Sequence, residues 1–484
     1  MPKRIFATAV TKSHLADART LAASLAAHHP DSELYVLLAD RMEGMFDPIQ
    51  EPFHLIQLSD LSDRDRIDRM CFYYNAFELC CALRGDLHEY LWQHTQVDRW
   101  LFLDADVWVC HSLEVIFQQL DQAEILLTPH NLQPTLPEHV ELRELDFLKL
   151  GLYNGGCLGI RRGSASQQFI QWWKSRLTYY SFDDHGIKEI RGLHTDQYLL
   201  GLVPLYFDPV VLLRHPGANI GHWNLIDRHL EQTADGKFWV DGQPLLFLHL
   251  SGWDIEQPDR VSRYSLLYAT YENPAWAILG QCYRAELLSH GYRETRQWSY
   301  AFANFETGQP ISLAARRAYY HEWQQGQALP ASPFQQASLL ATASYPTLTS
   351  VILLQEERAN LMVKLMEQQE STHLAWTKVE ELMEMQKDLH HQIQLQDQQI
   401  QNLNAQTQAL NQQNQALNQQ NQLLVQSGQS LLQDIRAISS ETVSEPTIAA
   451  ALTSLRHHKF WRVWKFWVAT KNWLKTQITQ RRSR

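Results

Sequence analysis

The sequence predicts an α/β head built on a mainly parallel β-sheet flanked by helices, then a helical appendage, a long coiled coil and a C-terminal amphipathic helix. Three observations predict it. Short apolar runs alternate with helix-period segments up to about residue 255. From about residue 355 the composition turns to Gln, Asn, Leu and Met, with an apolar residue recurring every seven. After Glu445 acidic residues cease, and Trp, Phe, Lys and Arg dominate. The expected boundaries are 1–255 for the head, 256–350 for the appendage and linker, 351–440 for the coiled coil and 441–484 for the tail.

Within the head, Ile5 to Val10 reads as a strand and Leu15 to His28 as a helix with Ser13 as its N-cap. Leu34 to Ala39 and Phe53 to Leu58 read as strands. Residues 64–84 read as one helix, closed by Gly85. Trp100 to Leu103 and Ile125 to Leu127 are further strands. Alternation of this kind implies a sheet covered on both faces, with ligands beyond the carboxyl ends of its strands. The appendage carries aromatic-rich helical pieces at 264–271 and 314–323, and Pro330, Pro333 and Pro346 mark a link.

In the rod, Leu403, Leu410, Leu417, Leu424 and Leu431 fall at one heptad position, which argues against a disordered Gln-rich tract. Asn414 and Asn421 at the other core position favour an in-register parallel dimer, with a trimer as the alternative. A continuous rod of this span would be roughly 115 Å long. In the tail, Phe460, Trp464, Trp467, Leu474 and Ile478 share one helical face amid basic residues from Arg456 to Arg484. That pattern suits an anionic membrane surface, through residues 456–484. Packing on the protein itself or on a partner is the other reading.

The 484 residues carry a net charge of −11, which argues against specific nucleic-acid binding. Six cysteines without CxxC spacing read as buried reduced thiols. The amino-terminal segment reads as a first strand rather than a signal peptide, and no run of 18 apolar residues occurs. The expected location is the cytoplasm, peripheral on the inner face of the cell membrane through the tail.

The segment 101–109, Leu-Phe-Leu-Asp-Ala-Asp-Val-Trp-Val, runs an apolar strand into Asp104 and Asp106. Side chains at i and i+2 of an extended chain point the same way. Two carboxylates at a strand end suit Mg²⁺ or Mn²⁺, which can bridge a diphosphate and neutralise a leaving group.

Residues 99–110 resemble the YLDADV signature of GT-A (Rossmann-like) glycosyltransferases, in particular family 8 and similar bacterial enzymes. Three segments fit in order: Tyr153-Asn-Gly-Gly resembles the FNAG strand, Thr195-Asp-Gln-Tyr the DQ element, and Phe247-Leu-His-Leu-Ser-Gly the late HFSG element. The block Gly217-Ala-Asn-Ile-Gly-His-Trp-Asn-Leu, followed by Arg228, is similar to one found in a subset of bacterial glycosyltransferases. The resemblance covers residues 1–255. It implies a nucleotide-sugar donor, usually a UDP-sugar, and a glycan, glycolipid or protein acceptor. Asp104, Asp106 and His249 would hold the metal, with Asp104 also near the donor ribose. Thr8, Ala9, Val10 and Asp40 would line the nucleobase pocket, and Gly252 would let the backbone approach the diphosphate. Asn154 and Gly155 would meet the transferred sugar, and Asp196 and Gln197 would face sugar and acceptor. The Lys-Pro-Trp that family 8 enzymes carry after the histidine is replaced by Trp253-Asp-Ile. Arg64, Arg66 or Arg69 are candidates to replace its lysine, the other reading of that charge run being a solvated face; Tyr73, Asn75 and Glu78 are further donor-contact candidates. Family 8 likeness favours retention of anomeric configuration, which these motifs leave undecided. The other readings are a coiled-coil scaffold with an inactive head, and a sugar nucleotidyltransferase, which the absence of glycine from residues 7–12 disfavours.

Overall fold

Strands without polar alternation have to be covered on both faces, and this chain does so. The computed structural model describes residues 4–140, 143–183, 194–264, 272–324, 333–335, 406, 409–410, 412–427 and 429–430. It divides the chain into two compact units, Met1–Leu389 and His390–Arg484.

In the first unit the central strands are β1 (Ile5–Val10), β2 (Glu33–Leu38), β3 (His54–Ile56) and β4 (Arg99–Leu103). The short β5 (Val107–Val109) lies outside this sheet, which continues with β6 (Ile125–Pro129), β7 (Tyr153–Arg161) and β8 (Val210–Leu212). The order is β3-β2-β1-β4-β7-β6-β8. All pairings are parallel except those of β7, which runs antiparallel to both β4 and β6. The sheet is therefore mainly parallel, as expected, with one reversed strand.

The period-2 alternation of β1 feeds both cores. Ile5 and Ala7 join Trp100 and Phe102 on one face; Phe6 joins Leu101 and Leu103 on the other. The second face is covered by α1 (Leu15–His28), with Leu15, Leu21 and Leu25 buried. The first is covered by α2 (Arg64–Tyr73), α3 (Ala76–Ala82) and α4 (Arg84–His94), where a single helix 64–84 was expected. The chain breaks at Tyr74, whose ψ of 143° is extended, and Asn75 starts α3 through a reciprocal capping box with Glu78. Gly85 does not end a helix; it is the second residue of α4. A Cβ there would lie 2.5 Å from Lys174 Cα in α7 (Ser164–Tyr180), so the glycine permits close helix packing. Ser13 does not cap α1 either, because it lies in a 3₁₀ turn at Lys12–His14. The strand expected over 53–58 is only three residues long and yields to a 3₁₀ turn at Leu58–Asp60.

Helices α5 (Glu114–Gln119), α6 (Glu144–Leu150) and α8 (Val203–Tyr206) connect the remaining strands. A small antiparallel sheet joins β9 (Leu230–Gln232), β10 (Phe238–Val240) and β11 (Gln243–Pro244), and β12 (Phe247–His249) pairs with β5. Helix α9 (Pro274–Ser289), capped by Asn273, buries Trp276, Leu279 and Tyr283 against Ile220, Leu248 and Val261. After α10 (Tyr292–Thr295), the chain reaches the ends of β1 and β2, where Ala301 N–H donates to Asp40. Helix α11 (Leu313–Gln324) buries Ala315, Tyr319 and Tyr320 in the same core as β1 and β4. Arg317 pairs with Glu78, and Arg316 donates to the carbonyls of Phe72, Tyr74 and Phe302.

The six cysteines are free, but Cys282 is exposed and Cys80 and Cys110 are partly exposed, against the expectation that all are buried. Among the described residues, no helix is long and apolar enough to cross a membrane. In the second unit, residues 412–427 are helical and almost wholly exposed. Most of the expected rod, and the whole tail, lie outside the described residues.

Candidate active site

The apolar β4 delivers Asp104 at its carboxyl end, and the reversal of β7 brings Asn154, Gly155 and Gly156 to the same end. Asp104 N–H donates to Gly156 O at 2.9 Å. The pairing of β12 with β5 sets His249 opposite Val107, and Leu250 N–H donates to Asp106 O. Asp104, Asp106 and His249 thereby present ligand atoms that all lie within 4.8 Å of one another. His249 Nε2 is 3.2 Å from Asp106 and 3.7 Å from Asp104. Its Nδ1 lies 3.1 Å from Asn219 Oδ1, and Trp223 meets the ring at 81°. Two carboxylates and an imidazole whose other nitrogen is occupied fit a divalent cation such as Mn²⁺ or Mg²⁺.

Arg84, which sequence reasoning missed, lies in the middle. Its guanidinium donates to Asp104, to Asp196 at 2.8 Å and to Gly155 O at 2.9 Å, and packs over Phe102 at 4.7 Å. Its Nε has no partner among the described residues. The available signal was a lone arginine inside the apolar run Leu79-Cys-Cys-Ala-Leu-Arg84, because a buried charge needs a partner.

The electrostatics follow from burial and this pairing. Burial raises the Asp104 carboxyl above its usual range, with Arg84 and His249 pulling the other way. Burial acts upward on Asp106 too, but the adjacent His249 overrides it and holds that carboxyl below its usual range. Burial disfavours a charged His249, yet Asp106 and Asp104 carry its affinity for protons above the ordinary imidazole value.

Two consecutive glycines let the walls meet. A Cβ on Gly155 would lie 2.7 Å from both Arg84 Nη1 and Asp196 Oδ2, and one on Gly156 would lie 2.2 Å from His249 Cε1. Asn154 is buried, with Oδ1 accepting from Gly156 N–H and Nδ2 placed 3.2 Å from His130 Nε2. Gln197 Nε2 donates to Leu150 O, and its Oε1 faces Gly155 N–H. The expected residues Asp104, Asp106, Asn154, Gly155, Asp196, Gln197 and His249 thus come together.

The nucleobase candidates lie in the last residues of β1 and just after β2. Thr8 and Val10 are buried and Ala9 is partly exposed; Thr8 Oγ1 has no partner among the described residues. The Asp40 carboxylate is occupied, accepting from the Lys12, Arg41 and Ala301 N–H groups and facing Lys12 Nζ at 3.5 Å. Gly252 has a φ of 69°, and the Tyr264 ring already covers it, 2.3 Å from where a Cβ would stand.

The phosphate and further donor-contact candidates have partners within the protein. Arg64 pairs with Asp68, Arg66 with buried Asp86, and Arg69 donates to Tyr319. Tyr73 donates to Thr178 O, Asn75 caps α3 and Glu78 pairs with Arg317.

No family model matches the chain. It is similar to two uncharacterized proteins of Bacillus subtilis (strain 168). YfnF is 26% identical over 258 residues, covering 52% of this chain and 82% of that protein. YfnD is 24% identical over 255 residues, covering 52% and 78%. Among solved structures, the galactosyltransferase LgtC, in complex with donor and acceptor sugar analogs, is 17% identical, with 59% of this chain and 95% of that one covered and a TM-score of 0.35. The glycosyltransferase GlyE of Streptococcus pneumoniae TIGR4 is 14% identical, with 63% and 67% covered and a TM-score of 0.34. Mouse xyloside xylosyltransferase 1 is 13% identical, with 51% and 97% covered and a TM-score of 0.31.

Proposed function

We propose that the head is a metal-dependent glycosyltransferase that moves a sugar from a nucleotide sugar, a UDP-sugar by its family resemblance, to a glycan, glycolipid or protein acceptor. One observation carries the reading: Asp104, Asp106 and His249 converge at the strand ends beside Asn154, Asp196 and Gln197. A divalent cation held by that triad would offset the negative charge that builds on a departing diphosphate. Arg84 spans the boundary between the cation ligands and Asp196, so its guanidinium is placed to hold a donor phosphate or sugar oxygen. Asp196 and Gln197 orient the sugar beside Gly155, whose missing side chain lets Arg84 and Asp196 close on the strand.

Purified protein incubated with a panel of UDP-sugars and Mn²⁺ should release UDP, and chelation should stop the release. Asp104→Asn with Asp106→Asn should abolish it. Full turnover by that double variant would sink the proposal.

The rod multiplies this head into a parallel dimer and the tail holds it at an anionic membrane surface. Supporting self-association, Leu410 and Leu417 of the expected seam stand 59% and 49% exposed on the single chain. A monomeric mass for the full chain in sedimentation equilibrium would reject the dimer. Deleting residues 456–484 should end co-sedimentation with anionic vesicles; unchanged sedimentation would reject the membrane role.

A further inference from the structure

The loop at residues 217–225 lies directly behind His249. Ile220 N–H donates to Phe247 O at 3.2 Å, and His249 N–H returns a bond to Ile220 O at 2.8 Å. Asn219, just before, turns with a φ of 53°, a left-handed conformation that asparagine tolerates better than most residues. Both sides of the turn are fixed. Asn224 Nδ2 donates to Asn219 O at 2.9 Å and to His130 O at 3.1 Å, while its Oδ1 accepts from Gly221 N–H. Arg228 donates to the carbonyls of Pro216 and Ala218. Asn219 and His249 are both buried, so neither exchanges this contact for water.

The chemistry of the contact is directional. An amide oxygen can only accept, so Asn219 Oδ1 at 3.1 Å requires the proton on His249 Nδ1. A neutral imidazole then carries its lone pair on Nε2, the nitrogen that faces Asp104 and Asp106. Asn219 Nδ2 has no partner among the described residues. A buried amide left that way costs about 1–3 kcal/mol.

We propose that Asn219 is a positioning residue which fixes the Nδ1–H tautomer and the ring plane of His249, and so presents Nε2 to a divalent cation. The proposal rests on the reading of Asp104, Asp106 and His249 as a cation site. The remainder of the 217–225 block serves to hold Asn219 in its left-handed turn.

The test is Mn²⁺ affinity of the full chain by titration calorimetry, alongside the melting temperature without metal. Asn219→Gly accepts the backbone conformation but lacks the oxygen, and should weaken Mn²⁺ binding about 10–100-fold. Asn219→Asp keeps an accepting oxygen and tolerates the turn, and should stay within about threefold of the parent affinity. Both should melt near the parent in the absence of metal. Equal loss in the two variants, or no loss in Asn219→Gly, overturns the proposal. If Asp106→Asn abolishes binding while Asn219→Gly leaves it intact, only the positioning role falls. If the parent binds no Mn²⁺, the cation site itself falls, and the positioning role with it.

Discussion

Gly156→Ala should close the candidate cation site from its floor. The added Cβ would lie 2.2 Å from His249 Cε1, 2.6 Å from Asp104 Oδ2 and 2.9 Å from Asn154 Oδ1. Ordinary carbon contacts begin at about 3.5 Å, so the imidazole has to retreat by about 1.3 Å. Asp104 is the stiffer neighbour, because its N–H is tied to Gly156 O. Metal–ligand distances tolerate about 0.2 Å, so a shift of that size removes His249 as a ligand. The expected loss of Mn²⁺ affinity is at least about 10–100-fold, or roughly 1.4–2.7 kcal/mol. Overpacking should also lower stability by about 1–3 kcal/mol. Gly159→Ala, on the same strand, is the control. The nearest neighbours of its Cβ are Leu126, Leu101 and Leu120 at 3.0–3.1 Å, so it should destabilise without touching affinity. Calorimetric Mn²⁺ titration of both variants decides the matter. An unchanged affinity in Gly156→Ala would refute the reasoning.

Arg84→Met should leave buried Asp196 and partly exposed Asp104 without their cation and destabilise the head by about 3 kcal/mol in urea unfolding, with part recovered in the double variant with Asp196→Asn. No recovery would mean that the two side chains are not coupled. Arg317→Met should break the buried pair with Glu78 that ties α11 to α3, with a similar loss; a loss below about 1 kcal/mol would show that the docking is apolar alone. Stability should also fall in acid. Burial pushes His88 and His130 down to about 3, so both stay neutral in the fold while the unfolded chain takes up protons below its ordinary value of 6.5. Their contribution is complete above that value and is lost as the pH falls from 6.5 toward 3, about 2 kcal/mol for each by pH 5. His88→Gln should flatten the slope by about one proton, and a parent ΔG constant from pH 7 to pH 5 would contradict this.

The sequence disclosed the parts of the head that obey one local rule. Strand β1, helix α1 and strand β4 follow their apolar patterns almost to the residue. The break at Tyr74 was hidden because Met70 to Leu83 keeps an apolar helical pattern through it. The competing signal, Asn75 three residues before Glu78, is a start rather than a stop. Gly85 was misread because glycine serves both helix ends and close packing, and only the neighbouring helix decides between them. Asp104 and Asp106 were legible because paired carboxylates after an apolar strand stand out, and His249 because its segment resembles the late HFSG element. Arg84 and Asn219 were not, since their roles depend on partners 20 and 30 residues away. Asp40 came in through the family resemblance; the backbone donor that the appendage supplies to its carboxylate was not legible, because Ala301 lies 261 residues away.

The single guanidinium shared by Asp104 and Asp196 makes the two halves of the cleft answer to each other. A ligand that draws Arg84 toward its own oxygens leaves Asp104 with less positive charge beside it, and a cation is then held more tightly there. Linkage requires the reverse to be equally large: a cation at Asp104 loosens the arginine and favours the ligand that takes it. Metal and donor should therefore bind with positive cooperativity, and the fork of one side chain is enough to produce it without any movement of the sheet.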